Sequence, residues 1–463
     1  MAPTLGPELP AFHPRGRDIL PARKSSSTLS TQKARDISSR SLSRETSASS
    51  IPFNDSEVDV VRVEGLRHSE GRLDARRYKT DSFAETLLTI IRSLHVPCWN
   101  SKRITSQSLK IQKVSGSLTN AVFFVSCPSI PQTPILLLRI YGPSSGSMIS
   151  RPRELQTLHV LSSQYHIGPR VYGTFENGRI EEYFDSSALT HDDLRNPQIS
   201  AWIGARMAEL HQVDIAAIGG DSTEGERGGE IGAKKNFQDW LLPAREVLAL
   251  PSVPDSVRKE LDLDALEAEW KEYMTWLDDQ EKEIGQSRRV FAHNDTQYGN
   301  LLRLNSTLPG IPEHRQIIVV DFEYASPNTA AFDIANHFHE WTANYHGPTP
   351  HLLDPSKYPT LEQRRNFYRA YIRHYGSSIS PQLSPSTTPD GDSLEAQLDL
   401  LDRLVKIWSP SSHAMWAVWG IVQAREALEG KDGESAEFDY ISYARCRMEG
   451  FRREYRALMS GSQ

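Results

Sequence analysis

The chain is poor in cysteine: 463 residues contain three, Cys98, Cys127 and Cys446, an odd number with no CxxC pair. That excludes a disulfide framework and a cysteine-based structural zinc site, and it suits a reducing compartment. No run of about eighteen apolar residues occurs, so no transmembrane helix is expected. The opening residues, MAPTLGPELPAF, carry Pro and Glu where a secretory leader needs an apolar stretch. Long basic runs are missing after the N-terminal region, and a net charge of −7 gives no electrostatic reason to expect nucleic acid. No internal repeat is evident. The expectation is a soluble cytoplasmic protein.

What is present divides the chain. Residues 1–55 hold few apolar groups, and 22–50 is mostly Ser, Thr, Arg and Lys. Such a segment buries too little surface to offset its ordering entropy, so it reads as a disordered tail with Arg-x-x-Ser sites such as Arg40 to Ser43. Residues 56–80 read as a charged extension docking on the folded part. From Asp81 to Leu94, apolar Phe83, Leu87, Leu88, Ile91 and Leu94 recur at helical spacing behind a candidate Asp81 N-cap. Residues 109–125 read as strand, Gly-containing turn and strand, either a plain hairpin or a turn laid against phosphates. The strand Ile135 to Tyr141 holds Arg139 in an apolar run, where a charge needs a partner, and the following helix offers Glu154. Residues 168–184 read as two short strands around Asn177-Gly178, and 198–213 as the helix that begins a larger lobe. Two polar inserts follow, at 219–236 and 376–393, and 237–284 reads as scaffold helices.

The chemistry is concentrated at 293–341. His293, Asp295 and Asn300 form H-x-D-x-x-x-x-N, and an apolar strand, Ile317 to Val320, then ends in Asp321. In protein kinases the same spacing supplies an acid that takes the proton of the attacking hydroxyl, an amide that holds a metal, and a strand-end acid that holds metal on the ATP phosphates. Here DFG is replaced by Asp321-Phe322-Glu323, and no APE segment follows. Asp333 opens a helical pattern that it either caps or uses to brace the loop. His293 and His337 read as structural hydrogen-bonding groups. Trp416 and Trp419, three apart, share a helix face, which is either core or an aromatic surface for a cation.

The runs DFEYASPNTAAFDIANHFHEW, WAVWGIVQA at 416–424 and FDYISYARCRMEGF at 438–451 resemble the choline/ethanolamine kinase family. HNDTQYGNLL is similar to its fungal choline kinases. The likeness covers roughly residues 80–460. It implies an α+β, two-lobed protein-kinase-like fold, with a small antiparallel β-rich N-lobe over 81–185 and a large helical C-lobe over 186–463. It implies ATP and Mg²⁺, choline or ethanolamine as acceptor, and a homodimer. Its activity is phosphorylation of choline, the first step of the CDP-choline route to phosphatidylcholine.

Carried onto this chain, the resemblance gives Asp295 as base, with Asn300 and Asp321 as metal ligands. Arg139, Glu154, Ser117, Asn120, Glu182, Phe184 and Gln297 fall on the ATP side. Tyr324, Glu340, Trp341, Tyr345, Trp416, Trp419 and Tyr443 fall on the substrate side. A quaternary ammonium has no N–H to donate, so aromatic faces with a nearby carboxylate suit it. Ethanolamine, or both amines, and a non-catalytic nucleotide-binding relative remain alternatives. An aminoglycoside phosphotransferase would need an acidic pocket.

Overall fold

The structure is a computed structural model that describes residues 60–116, 120–141, 150–218, 231–307, 309–375, 391–429 and 438–461. The tail, most of both inserts, Ser117 and the side chain of Asn120 lie outside the described residues.

The smaller lobe is a six-stranded sheet. Its strands are β1 (His68–Ser69), β2 (Lys110–Gly116), β3 (Asn120–Ser126), β4 (Leu136–Tyr141), β5 (Val171–Phe175) and β6 (Gly178–Glu182), in the order β1-β5-β6-β4-β3-β2. All neighbours are antiparallel except β1 and β5. That exception comes from the 56–80 extension: His68 and Ser69 pair with Thr174 and Phe175, and Val61 and Val63 are buried in the larger core. Helix α1 (Asp81–Ser93) lays Phe83, Leu87, Leu88 and Ile91 into the sheet's own core with Phe123, Val125 and Leu138. Its N-cap is Thr80 rather than Asp81: Thr80 Oγ1 accepts the Phe83 N–H at 3.3 Å, and Asp81 is the first helical residue.

Helix α2 (Arg151–Gln164) follows the sheet strand but buries Leu155, Leu158 and Leu161 in the larger core. It therefore ties the two lobes together. The larger lobe begins with β7 (Ser186–Ala188) and α3 (Pro197–His211). It continues through α4 (Gly232–Leu248), α5 (Asp255–Glu260), α6 (Leu263–Ile284), β8 (Arg289–Ala292) and β9 (Leu301–Leu304). The remaining elements are β10 (Ile317–Val319), β11 (Ser326–Thr329), α7 (Ala330–Glu340), α8 (Leu361–Tyr375), α9 (Gly391–Gln423), α10 (Arg425–Leu428) and α11 (Tyr440–Met459). Two small antiparallel sheets, β10-β9-β7 and β11-β8, carry the connecting loops, and α9 packs against α4, α7 and α11. No helix among the described residues is long and apolar enough to cross a membrane.

Candidate active site

The loop after β8 is fixed by buried hydrogen bonds. Asn294 has φ of 63°, a conformation that Asn tolerates better than most residues. Its backbone N–H donates to Asp333 Oδ1 at 2.8 Å, and that of His293 donates to Asp333 Oδ2 at 3.0 Å. Asp333 is thus a brace and not a cap; Thr329 Oγ1 caps α7 by accepting from Phe332 N–H. Burial is the largest influence on Asp333 and opposes its charge, but the His211 hydrogen bond, the electrostatic influence of the His211 and His293 rings and the His293 N–H together outweigh it and hold the carboxyl below its usual range. The far side of the loop is carried by Asn336, whose Nδ2 donates to Asn294 O at 2.9 Å, and by His337, whose Nδ1 donates to Thr296 O at 2.8 Å.

His293 is structural as expected. Its Nε2 lies 3.0 Å from the Val320 carbonyl, which can only accept, so Nε2 carries the proton and Nδ1 accepts the Asp295 N–H at 3.3 Å. Burial holds the ring below the ordinary histidine range, so it is neutral. This bond also anchors the end of β10, just before Asp321, whose φ is 67°.

Asn300 donates Nδ2 to the Asp295 carbonyl and to Asp295 Oδ2, both at 3.0 Å. Its Oδ1 is then the atom available to a metal. Asp321 is exposed, and Glu323, two residues on, is half-buried. Burial first, and then the charges of Asp321, Glu154 and Asp295, push the Glu323 carboxyl well above its usual range. Acids gathered at one place fit a divalent cation held by oxygen ligands. In the sequence Glu323 shows only as a departure from DFG; its placement beside three other acids depends on tertiary structure.

On the sheet side the structure corrects one pairing. Glu154 accepts from Arg179 Nη2 at 3.0 Å, rather than from Arg139. Arg179 stands directly across from Arg139 in the β4–β6 register. It also pairs through Nε with Glu181, and its Nη1 donates to Tyr141 Oη at 3.3 Å. With Glu154 and Glu181 engaged by its neighbour, Arg139 keeps a buried Nε that has no hydrogen-bond partner. An unpaired guanidinium N–H in this position fits an anionic phosphate. Glu182 N–H is used by Arg170 O at 2.8 Å, and Phe184 O accepts from Ser186 Oγ at 3.1 Å. Gln297 is buried, and its Oε1 accepts from Gly299 N–H at 3.2 Å.

The structure brings most of the expected aromatic residues together. Tyr324 and Trp416 meet edge-on with centroids 5.4 Å apart, Trp416 and Trp419 at 5.1 Å, and Trp419 and Tyr443 at 5.9 Å. Trp419 Nε1 donates to Tyr324 Oη at 2.8 Å, and Trp416 Nε1 donates to Asn336 Oδ1 at 2.7 Å. Glu340 is fully buried; Tyr345 Oη donates to its Oε2 at 2.7 Å and Arg447 Nη2 to its Oε1 at 3.2 Å. Arg447 Nε in turn donates to Tyr443 Oη at 3.0 Å.

Trp341 is not in this cluster. One residue beyond Glu340 the helix has turned, and the indole N–H points to His337 Nε2 at 3.4 Å while Arg195 lies over the ring. Sequence reasoning missed Trp240 and Tyr440, which extend the ring contacts to Tyr324 and Trp419, and Arg447, which pairs with Glu340. Their helical spacing alone reads as ordinary core.

Tyr324 joins the two halves of the site. Burial first, then the charges of Glu323, Asp295 and Asp321, raise its hydroxyl well above the usual tyrosine range. The aromatic cluster therefore begins beside the acids.

The family model described as choline/ethanolamine kinase matches residues 111–452. The chain is 37% identical over 362 residues to the choline kinase of Schizosaccharomyces pombe, covering 74% of this chain and 77% of that one. It is 32% identical over 410 residues to the choline kinase of Saccharomyces cerevisiae, covering 77% and 66% respectively. Its fold matches the crystal structure of a choline kinase from Cryptosporidium parvum with a TM-score of 0.58 at 23% identity, over 81% of this chain and 96% of that one. The two-lobed kinase-like architecture is therefore shared, and the chain belongs to the choline/ethanolamine kinase family.

Proposed function

We propose that the protein is an ATP-dependent choline kinase of the cytoplasm, making phosphocholine for phosphatidylcholine synthesis. The observation that carries this reading is Tyr324, which touches Trp416 and hydrogen-bonds Trp419 on one side and lies within electrostatic reach of Asp295 on the other. A small amino alcohol can then place its ammonium among the rings and its hydroxyl at the acid.

Asp295 accepts the hydroxyl proton as that oxygen attacks the γ-phosphorus of ATP and the bond to ADP breaks. The Asn300 bond to Asp295 Oδ2 orients the carboxylate. Arg139 steadies the phosphates, and Gln297 stands in the loop beside the transferring group. Asn300 and Asp321 would hold Mg²⁺, which when bound neutralises phosphate charge. Most of the rate comes from positioning and charge compensation.

Ethanolamine is the second reading, since the family includes kinases of both amines. A primary ammonium has three donors to satisfy. Both Glu340 oxygens are already engaged by Tyr345 and Arg447, which favours choline. Initial rates with each amine and Mg·ATP test this: a higher kcat/KM for choline supports the reading, and equal or greater use of ethanolamine overturns the substrate choice.

A further inference from the structure

We propose that His339, His413 and Glu454 form a binding site for a divalent transition-metal ion of the zinc class, built from residues other than Asn300 and Asp321. The three residues come from three helices: α7, α9 and α11. Each offers one ligand atom, and these atoms lie within 4.8 Å of one another.

His339 Nε2 reaches the Ser409 carbonyl at 3.3 Å, a bond that a metal would replace, but His413 differs from a satisfied core histidine. His413 is only 3% exposed, and both its ring nitrogens lack a hydrogen-bond partner. Buried side-chain nitrogens are nearly always paired. His413 Nε2 stands 3.4 Å from Glu454 Oε1, and His339 Nε2 stands 3.8 Å from Glu454 Oε2. A charge-assisted hydrogen bond would draw such atoms to about 2.8 Å. Tetrahedral zinc with bonds of about 2.0–2.1 Å holds neighbouring ligand atoms about 3.4 Å apart.

Ser409 Oγ lies 2.9 Å from His339 Nε2 and 2.7 Å from Glu454 Oε2, so it provides a polar fourth side, where a hydroxyl or water completes the shell. Two imidazoles and one carboxylate suit zinc, cobalt or nickel, whereas magnesium and calcium prefer all-oxygen sets. The chain also makes room for the ring. A Cβ at Gly450 would stand 2.7 Å from His413 Cε1 and 2.8 Å from each ring nitrogen.

The ion would pin the helices that carry the aromatic pocket. Glu340 directly follows His339, Trp416 lies about one turn beyond His413, and α11 carries Tyr443 and Arg447 as well as Glu454. Its role is therefore structural.

The test uses the full chain, stripped of metal and dialysed against Zn²⁺ with Mg²⁺ in excess. Elemental analysis is expected to find one more zinc per wild-type chain than in His413→Gln or Glu454→Gln. Zinc-edge X-ray absorption on the wild type, which needs no variant to fold, is expected to show two imidazole nitrogens in the shell. Equal zinc content in wild type and variants, or an all-oxygen shell, overturns the proposal.

Discussion

Asn294, held at φ of 63°, gives its backbone N–H to one oxygen of the buried Asp333 at 2.8 Å. The other oxygen takes the His293 N–H and the His211 ring, so one carboxylate from α7 sets the path of the loop that carries Asp295. Asp333→Ala leaves two backbone donors and Nε2 of His211 unpaired in the core, while His211 Nδ1 keeps its bond to Tyr371 Oη. Loss of one member of a buried charged network costs about 3–5 kcal/mol. Denaturant titration should show a drop of that size, and the surviving folded protein should turn over far more slowly with its ATP affinity nearly kept. An unchanged midpoint would remove the bracing role.

Arg139 and Arg179 face each other across the sheet, yet opposite effects are expected of them. Arg179→Met strands Glu154 and Glu181, and should cost about 3 kcal/mol or more in stability. Arg139→Met removes a guanidinium whose buried Nε has no partner, so stability should hold. A lost charged hydrogen bond to phosphate is worth about 1.5–3 kcal/mol, which corresponds to a rise in the KM for ATP of about ten- to a hundredfold. Thermal melts and nucleotide kinetics on both variants check the contrast.

The pocket prediction separates ring face from hydrogen bond. A cation over an aromatic face is worth about 0.5–2 kcal/mol. Trp419→Leu should therefore raise the KM for choline several-fold to about thirtyfold while leaving basal ATP hydrolysis in place. Trp419→Phe keeps a ring and loses the donor to Tyr324 Oη, and should fall between. If Leu and Phe behave alike, the ring face is not what binds the amine.

A pH prediction rests on Glu209 in α3. Burial raises its carboxyl, but the His314 hydrogen bond and the charges of Arg206 and Arg315 outweigh this and lower it to about 2. Its side chain is 19% exposed. An acid depressed in the folded state contributes stability above its unfolded value, which is lost as pH falls through the folded one. Glu209→Gln should then cost about 2 kcal/mol at pH 7, discounted for partial exposure. The gap from wild type should begin to close below the ordinary glutamate value of 4.5 and vanish near 2. A gap that stays constant in acid would show that the lost contribution is packing.

The sequence shows the parts of this site more clearly than their connections. His293, Asp295, Asn300 and Asp321 are legible because a loop and one strand end fix their spacing locally. The Tyr324, Trp416, Trp419 and Tyr443 grouping follows from the family resemblance. Whether Asp333 caps or braces depends on which backbone amides face it, and only the packing of α7 against the β8 loop decides that. The partner of Glu154 is set by the β4–β6 register, which puts a second arginine beside Arg139. Trp341 separates from Glu340 because successive helical residues point about 100° apart.

The most direct measurement is phosphocholine formation by the wild type and by Asp295→Ala, with ATP affinity measured on both. With Asp295 as the base, the wild type turns over readily, Asp295→Ala loses about a hundredfold or more, and ATP affinity changes little. Comparable turnover by the two proteins, or no turnover of either amine by folded wild type that still binds ATP, would contradict this assignment.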